Sequence, residues 1–245
     1  MSSFLFAILA GFFITRLNTR FNNIKEIIAE NDGFYVVLHS MCKVYGKNFT
    51  EKITNLIDGA YIEAYDYFGV KTESYYKQES KYYFKIFDLV NSVEKEQKNS
   101  FEELLACLRD IEKNRNKSNV YLIEKMRIGQ WLLLGVFVTI MLFCLFYLKT
   151  PLLYSQVVTI LLSTGIIMVF LIMKDLYNLR LGGEVHMYES GQEVFEYIGK
   201  LRYYPLSDLK SKAVKVPKNI KKYKIGLHKP GEKFNIKIVE KEAKK

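Results

Sequence analysis

The chain has 245 residues, of which 49% are hydrophobic and 25% charged, and a formal net charge of +10. That charged share excludes a protein lying wholly in lipid, so apolar segments must alternate with a water-facing part. Residues 17–127 carry 17 Lys and Arg against 17 Asp and Glu, whereas residues 212–245 carry 12 Lys against 3 Glu. A neutral body with a basic end gives no reason to expect nucleic-acid binding; it predicts that the end meets anionic lipid headgroups or another polyanion.

Ser2 to Thr15 is apolar and uncharged, with Arg16 and Arg20 after it. A signal peptide carries its positive charge before the apolar run, so this order predicts an uncleaved first transmembrane helix over residues 1–16. Its roughly 14 apolar residues cover about 21 Å of a hydrocarbon core near 30 Å. Local thinning of the bilayer, a snorkelling Arg16, or the apolar Leu17 and Phe21 one turn further on are the expected ways to make up the length. Ala7, Gly11, Thr15 and Thr19 recur every fourth residue as a small-residue stripe, in lipid a helix-packing surface.

Residues 17–127 read as a helical cytosolic region. No proline precedes Pro151, and Ile24, Ile27, Ile28, Tyr35 and Leu38 share one side of a continuing helix. Gly46-Lys47-Asn48 predicts a stop with Thr50 as the next N-cap, and further breaks are expected near Asp58-Gly59 and Phe68-Gly69. Tyr61, Tyr65, Tyr67, Tyr75, Tyr76, Tyr82 and Tyr83 make this stretch aromatic, a composition that serves packing between helices more often than ligand binding. Ser100 with Glu103 has the spacing of a capping box that opens a helix through Leu104, Leu108 and Ile111. That helix is expected to bend within Asn114 to Asn119 and continue into the second span. The acceptor patterns at Asn48 and Asn116 fall on the side of the membrane where glycosylation does not occur, and are read as chance.

Residues 128–148 and 152–173 hold no charged side chain and are joined by Lys149-Thr150-Pro151. Each makes a helix of roughly 30 Å, the thickness of a bilayer core. Trp131, Tyr147 and Tyr154 lie at the ends, where amphipathic rings favour the interface. Arg16, Arg20 and Lys25, then Arg115, Lys117, Lys125 and Arg127, then Lys174 and Arg180 flank the three spans on one side. The positive-inside rule therefore predicts a multi-pass protein of the cell membrane, with its N-terminus outside and its insert and C-terminus in the cytoplasm. In the third span Ser155, Thr159 and Ser163 place hydroxyls four apart on one face, either lining a pore or packing against a neighbouring helix.

Residues 174–211 read as a cytosolic segment with a short helix near Glu193 to Tyr197. Residues 212–245 read as a Lys-rich tail, mobile or lying on a surface apart from a strand-like Phe234 to Val239, with Lys215, Lys218, Lys221, Lys222 and Lys224 facing lipid headgroups. The odd, scattered Cys42, Cys107 and Cys144 argue against a disulfide framework, and His39 with Cys42 lacks a second ligand pair for a metal. His186 near Glu184 and Glu189 is the one acid and base cluster, without a nucleophile or phosphate loop beside it. Neither catalysis nor a cofactor is expected.

The segment Arg20-Phe21-Asn22-Asn23-Ile24-Lys25-Glu26-Ile27-Ile28-Ala29-Glu30 resembles the stretch after the first span in the bestrophin-like family of prokaryotic integral membrane proteins of unknown function. The matching positions are Arg20, Phe21, Lys25 and Glu30, and the order of parts is also similar as far as Asp175-Leu176 and Gly182. The family's Pro-Phe-x-Gly after the last span is replaced here by Arg180-Leu181-Gly182. The resemblance implies an all-α membrane protein with three transmembrane helices, assembling as a homo-oligomeric ring around an anion path. Two functions stay open: such an oligomeric ion channel, or a membrane-anchored interaction or regulatory module using its cytosolic helices.

Overall fold

The computed structural model describes residues 2–67, 72–92, 98–124, 126–179 and 188–241. In chain order the elements are helices α1 (Ser2–Cys42), α2 (Lys47–Tyr67), α3 (Thr72–Asn91), α4 (Lys98–Ile123), α5 (Ile128–Tyr147), α6 (Leu153–Tyr177) and α7 (Tyr188–Tyr197), then β1 (Tyr203–Pro205), α8 (Leu206–Lys210), β2 (Lys222–Gly226) and β3 (Ile236–Glu240). The fold is mostly helical, as expected, with one small sheet among the described residues. Two compact units form: residues 1–23 with 124–183, and residues 24–123 with 184–245.

The first unit holds α5, α6 and the start of α1. All three helices are long and apolar enough to cross a membrane, with best-window mean hydropathy of 2.2 for α5, 2.4 for α6 and 1.3 for the α1 segment. The lower value belongs to the span that the sequence made short. α1 buries Phe6, Ala10, Phe13 and Leu17. Arg16 pairs with Glu124 at 2.8 Å, and Arg20 donates to the Tyr177 carbonyl at 3.2 Å, so both arginines at the end of the apolar run close onto this unit's other segments. Trp131 packs edge-on to Phe170 at 5.3 Å and to Tyr177 at 5.5 Å, joining α5 to α6. Leu132, Phe143, Ile160, Leu161 and Ile172 remain exposed, an apolar exterior that suits lipid. Arg127 caps α5 by donating its N–H to the Gln130 side chain at 3.0 Å. The expected continuation of the preceding helix, past a bend, into the second span is therefore corrected: Glu124, Met126 and Arg127 are non-helical.

The second unit is built on a core that includes Leu38, Ile53, Ile57, Ile86, Leu104, Leu108, Ile111 and Phe195. α1 runs unbroken to Cys42, because no proline interrupts it, and stops before Gly46, whose φ of 92° only glycine adopts readily. Thr50 is not the N-cap that its position suggested; α2 has already begun, and the hydroxyl donates back to the Gly46 carbonyl at 2.9 Å. α2 passes Asp58-Gly59 without the expected break, since the Tyr82 ring lies on Gly59, with its Cε1 2.6 Å from where a Cβ would stand. The break expected near Phe68-Gly69 falls outside the described residues. Ser100 is likewise not a cap: α4 starts at Lys98 and stays helical through Asn114 to Asn119. Tertiary packing holds both helices through positions where local signals favour an end.

The sheet has the order β1-β2-β3, with β1 parallel to β2 and β2 antiparallel to β3. Tyr203, Tyr204 and Pro205 pair with Lys224, Ile225 and Gly226, while Lys222 to Gly226 pair with Glu240 to Ile236. The expectation of a mobile or surface-lying tail is corrected here, because β2 and β3 belong to the second unit. Their alternate side chains reach buried partners: Lys224 is 8% exposed and Ile236 packs on the core, which lets a Lys-rich segment fold without a core of its own.

Candidate functional site

One face of α2 carries Asp58, Tyr61, Tyr65 and Asp66, which the helical period places side by side over two and a half turns. Above it stand α7, the sheet and the β2–β3 loop. Tyr61 donates to Asp32 Oδ1 at 2.5 Å, and Tyr203 donates to Asp66 Oδ1 at 2.5 Å. His228 Nε2 lies 2.8 Å from Asp66 Oδ2, and its Nδ1 accepts the Asn235 N–H at 3.1 Å. Nδ1 also lies 3.2 Å from the Asn235 carbonyl, so the ring bridges the Asp66 carboxylate and the Asn235 backbone. The His228 and Asp66 side chains are 2% and 4% exposed, so this pair is sealed from water.

Lys224 Nζ meets Asp58 Oδ1 at 2.5 Å and lies 4.6 Å from the Phe195 ring centre. Burial pushes the Lys224 ammonium below the usual lysine range, with Asp58 acting in the opposite direction. Burial likewise raises the Asp66 carboxyl against the hydrogen bonds from Tyr203 and His228, and drives the Tyr203 phenol well upward. Arg202 is fixed by Glu189 at 2.6 Å and Glu196 at 2.7 Å, and these carboxylates outweigh its burial and keep it charged.

Gln192, fully buried, does the work of a strand. Its amide donates to the Tyr203 carbonyl at 2.6 Å and accepts the Tyr203 N–H at 3.0 Å, closing the outer edge of β1. Tyrosine tips settle on glycines throughout this region: Tyr65 meets Gly191, Tyr203 meets Gly226 and Tyr67 meets Gly231. The Tyr-rich composition is thus spent on packing for Tyr61, Tyr65, Tyr67 and Tyr83, all buried. Asp58, Asp66, Lys224 and His228 are answered by one another and by Tyr203 within the same unit, and the arrangement clamps α2 to the sheet and its β2–β3 loop.

The expected site residues lie elsewhere. Ser155, Thr159 and Ser163 fall on the inner side of α6, with Thr159 5% exposed. Ser155 Oγ accepts the Thr150 N–H at 3.0 Å, Thr159 donates to the Ser155 carbonyl at 2.8 Å, and Ser163 donates to the Thr159 carbonyl at 2.7 Å. These hydroxyls close on their own helix and turn. Gly11 and Thr15 are exposed together with Ala7 and Thr19, and nothing lies within 4 Å of a Cβ placed on Gly11. Lys215, Lys218, Lys221 and Lys222 are exposed, Lys222 with Glu240 at 3.8 Å. Lys224, expected with them at a lipid surface, is corrected: Asp58 takes its charge inside the unit. Cys42 and Cys107 are buried, and His39 pairs with Thr54 at 3.1 Å. His186 and Glu184 lie outside the described residues, and Glu189 pairs with Arg202. Among the described residues no group of three or more His, Cys, Asp or Glu could hold a metal ion.

Asp58, Asp66, Gln192, Tyr203 and His228 were not among the expected site residues. The four-residue spacing of Tyr61 and Tyr65 was readable as a face, but nothing in the linear chain ties it to His228, 162 positions after Asp66. No protein-family model, characterised protein or solved structure matches the chain.

Glu63, elsewhere on α2, is 8% exposed and its Oε2 has no partner among the described residues. Burial raises its carboxyl, while Lys81 lowers it. A carboxyl raised in the folded state favours folding only when protonated, so that contribution is full below the ordinary glutamate range and is lost as pH rises through the raised value. Glu63→Gln is therefore expected to stabilise the unit at neutral pH, with an advantage that shrinks toward pH 4. Thermal unfolding of both forms across that range checks the sign.

Proposed function

We propose that the chain is a three-span protein of the cell membrane, N-terminus outside, whose second unit works in the cytoplasm as an interaction or regulatory module. The observation that carries this reading is the incorporation of the basic C-terminal segment into a folded sheet clamped to α2 by Lys224 and His228. A segment held in this way presents Lys215, Lys218, Lys221 and Lys222 on a fixed surface, where anionic lipid headgroups or an acidic partner can meet several at once. The closed hydroxyls of α6 support a packing role for that helix over a pore lining. Purified chain in liposomes should pass chloride no faster than empty liposomes, and flux that rises with protein content would replace this reading with the channel. For topology, a cysteine introduced at Thr150 should react from outside and one at Glu232 should not; the opposite result would invert the orientation.

A homo-oligomeric ring of the bestrophin-like kind is the second reading, favoured by the exposed stripe Ala7, Gly11, Thr15 and Thr19. Open space around Gly11 makes Gly11→Leu harmless within one chain. A smaller particle for this variant in detergent would reveal contact between copies at that face, and an unchanged size would remove it.

A further inference from the structure

The two edges of the sheet are treated differently. Gln192 seals the β1 edge by bonding both backbone groups of Tyr203. β3 is the other edge, and among the described residues no strand pairs with its far side. The bonds Leu227 N–H to Asn235 O and Lys241 N–H to Lys221 O, both 2.8 Å or shorter, place the odd-numbered residues of β3 toward β2. The N–H and C=O of Ile236, Ile238 and Glu240 then point outward, and no partner answers them among the described residues. Ile238 is 55% exposed in the middle of this edge, so apolar area and unpaired backbone coincide.

We infer that the β3 edge is a docking site for an extended acidic segment of a partner protein, which adds a fourth strand to the sheet. Backbone groups supply the attachment and alternate side chains the selectivity, as strand addition requires. Charge chooses the occupant. Lys221, Lys222, Lys233 and Lys237 are exposed around this edge, against Glu232 and Glu240. A second copy pairing antiparallel about Ile238 would set Ile238 against itself and Lys237 against Val239, with Lys237 diagonally beside the Lys237 and Lys241 of the other copy, so it adds positive charge and offers Lys237 no carboxylate. Lysine on an edge strand guards against such self-pairing. A strand with a carboxylate opposite Lys237 and an apolar side chain opposite Ile238 meets both demands. This assignment rests on the module reading above and names the kind of partner that the module takes.

The probe is a fluorescent decapeptide of alternating glutamate and valine, titrated into the full-length protein in detergent. Saturable binding is expected, weakened by added salt, with slower hydrogen exchange at the Ile236, Ile238 and Glu240 amides. A peptide alternating lysine and valine should not bind. Ile238→Pro removes an outward N–H that β2 does not use, a place where an edge strand accepts proline. It should weaken binding roughly tenfold or more, as the loss of a hydrogen bond and the strand fit predicts. Lys237→Glu, which leaves the backbone intact, should weaken it similarly and guards against a folding defect in the proline variant. Full binding by both variants, no binding by the native chain, or disulfide-linked dimers formed readily by Ile238→Cys would overturn the assignment. Failure of the peptide in a chain that is inserted and folded removes the strand site alone, whereas chloride flux removes the module reading.

Discussion

Gly226→Ala is expected to destabilise the second unit by roughly 2 to 4 kcal/mol, at or beyond the usual range for overpacking. Gly226 pairs with Pro205 on one side and Ile236 on the other, so the backbone there is held by both neighbours. The new methyl group would fall on the Tyr203 hydroxyl and 2.7 Å from its ring carbon Cζ. Tyr203 cannot swing aside cheaply, because it is fully buried and its hydroxyl is bound to Asp66 at 2.5 Å. Displacing it strips a buried carboxylate of a donor as well as disturbing the packing. Tyr203→Phe alone leaves Asp66 with His228 as its remaining side-chain partner and should cost roughly 1 to 3 kcal/mol. Combined, the two changes should cost less than their sum, since the second removes the atom that the first strikes. Thermal or denaturant unfolding of the four proteins measures the coupling, and strict additivity would mean that the contact between Gly226 and Tyr203 does not govern this site.

Lys224→Ala should be the costliest lysine change in the basic segment, at roughly 2 to 4 kcal/mol, because it leaves Asp58 half of a broken buried pair. The Lys224 and Asp58 side chains are 11% and 20% exposed, which shields the interaction from water and salt. The ammonium also loses its place over the Phe195 ring. Lys221→Ala removes the same formal charge from an exposed position and should change stability by no more than about 0.5 kcal/mol. Replacing both partners, Asp58→Leu with Lys224→Met, should be milder than Lys224→Ala, since no charge is then stranded. Equal effects for Lys224→Ala and Lys221→Ala would show that the segment contributes net charge and no specific contact. The measurement therefore separates a loose basic tail from a built-in sheet.

Apolar run length and local chemistry were enough to place the helices of the first unit. Twenty uncharged residues allow little but a buried or lipid-facing helix, and α5 begins at Ile128 and ends within one residue of the expected boundary. Continuity of α1 followed from the lack of proline, and its end from Gly46, because both act through the backbone of a single residue. The short helix expected near Glu193 to Tyr197 falls within α7, and the strand-like Phe234 to Val239 overlaps β3. What lies between these elements was decided by contacts over long separations. Asp58-Gly59 looks like a stop until Tyr82 packs on it, and Ser100 looks like a cap until helix begins before it. Lys224 looks like any other lysine of a basic tail, and only the pairing of β2 with β1 carries it to Asp58, 166 positions earlier. Composition reports the sum of charges, but the worth of each charge depends on what surrounds it, and that environment exists only after the chain has folded.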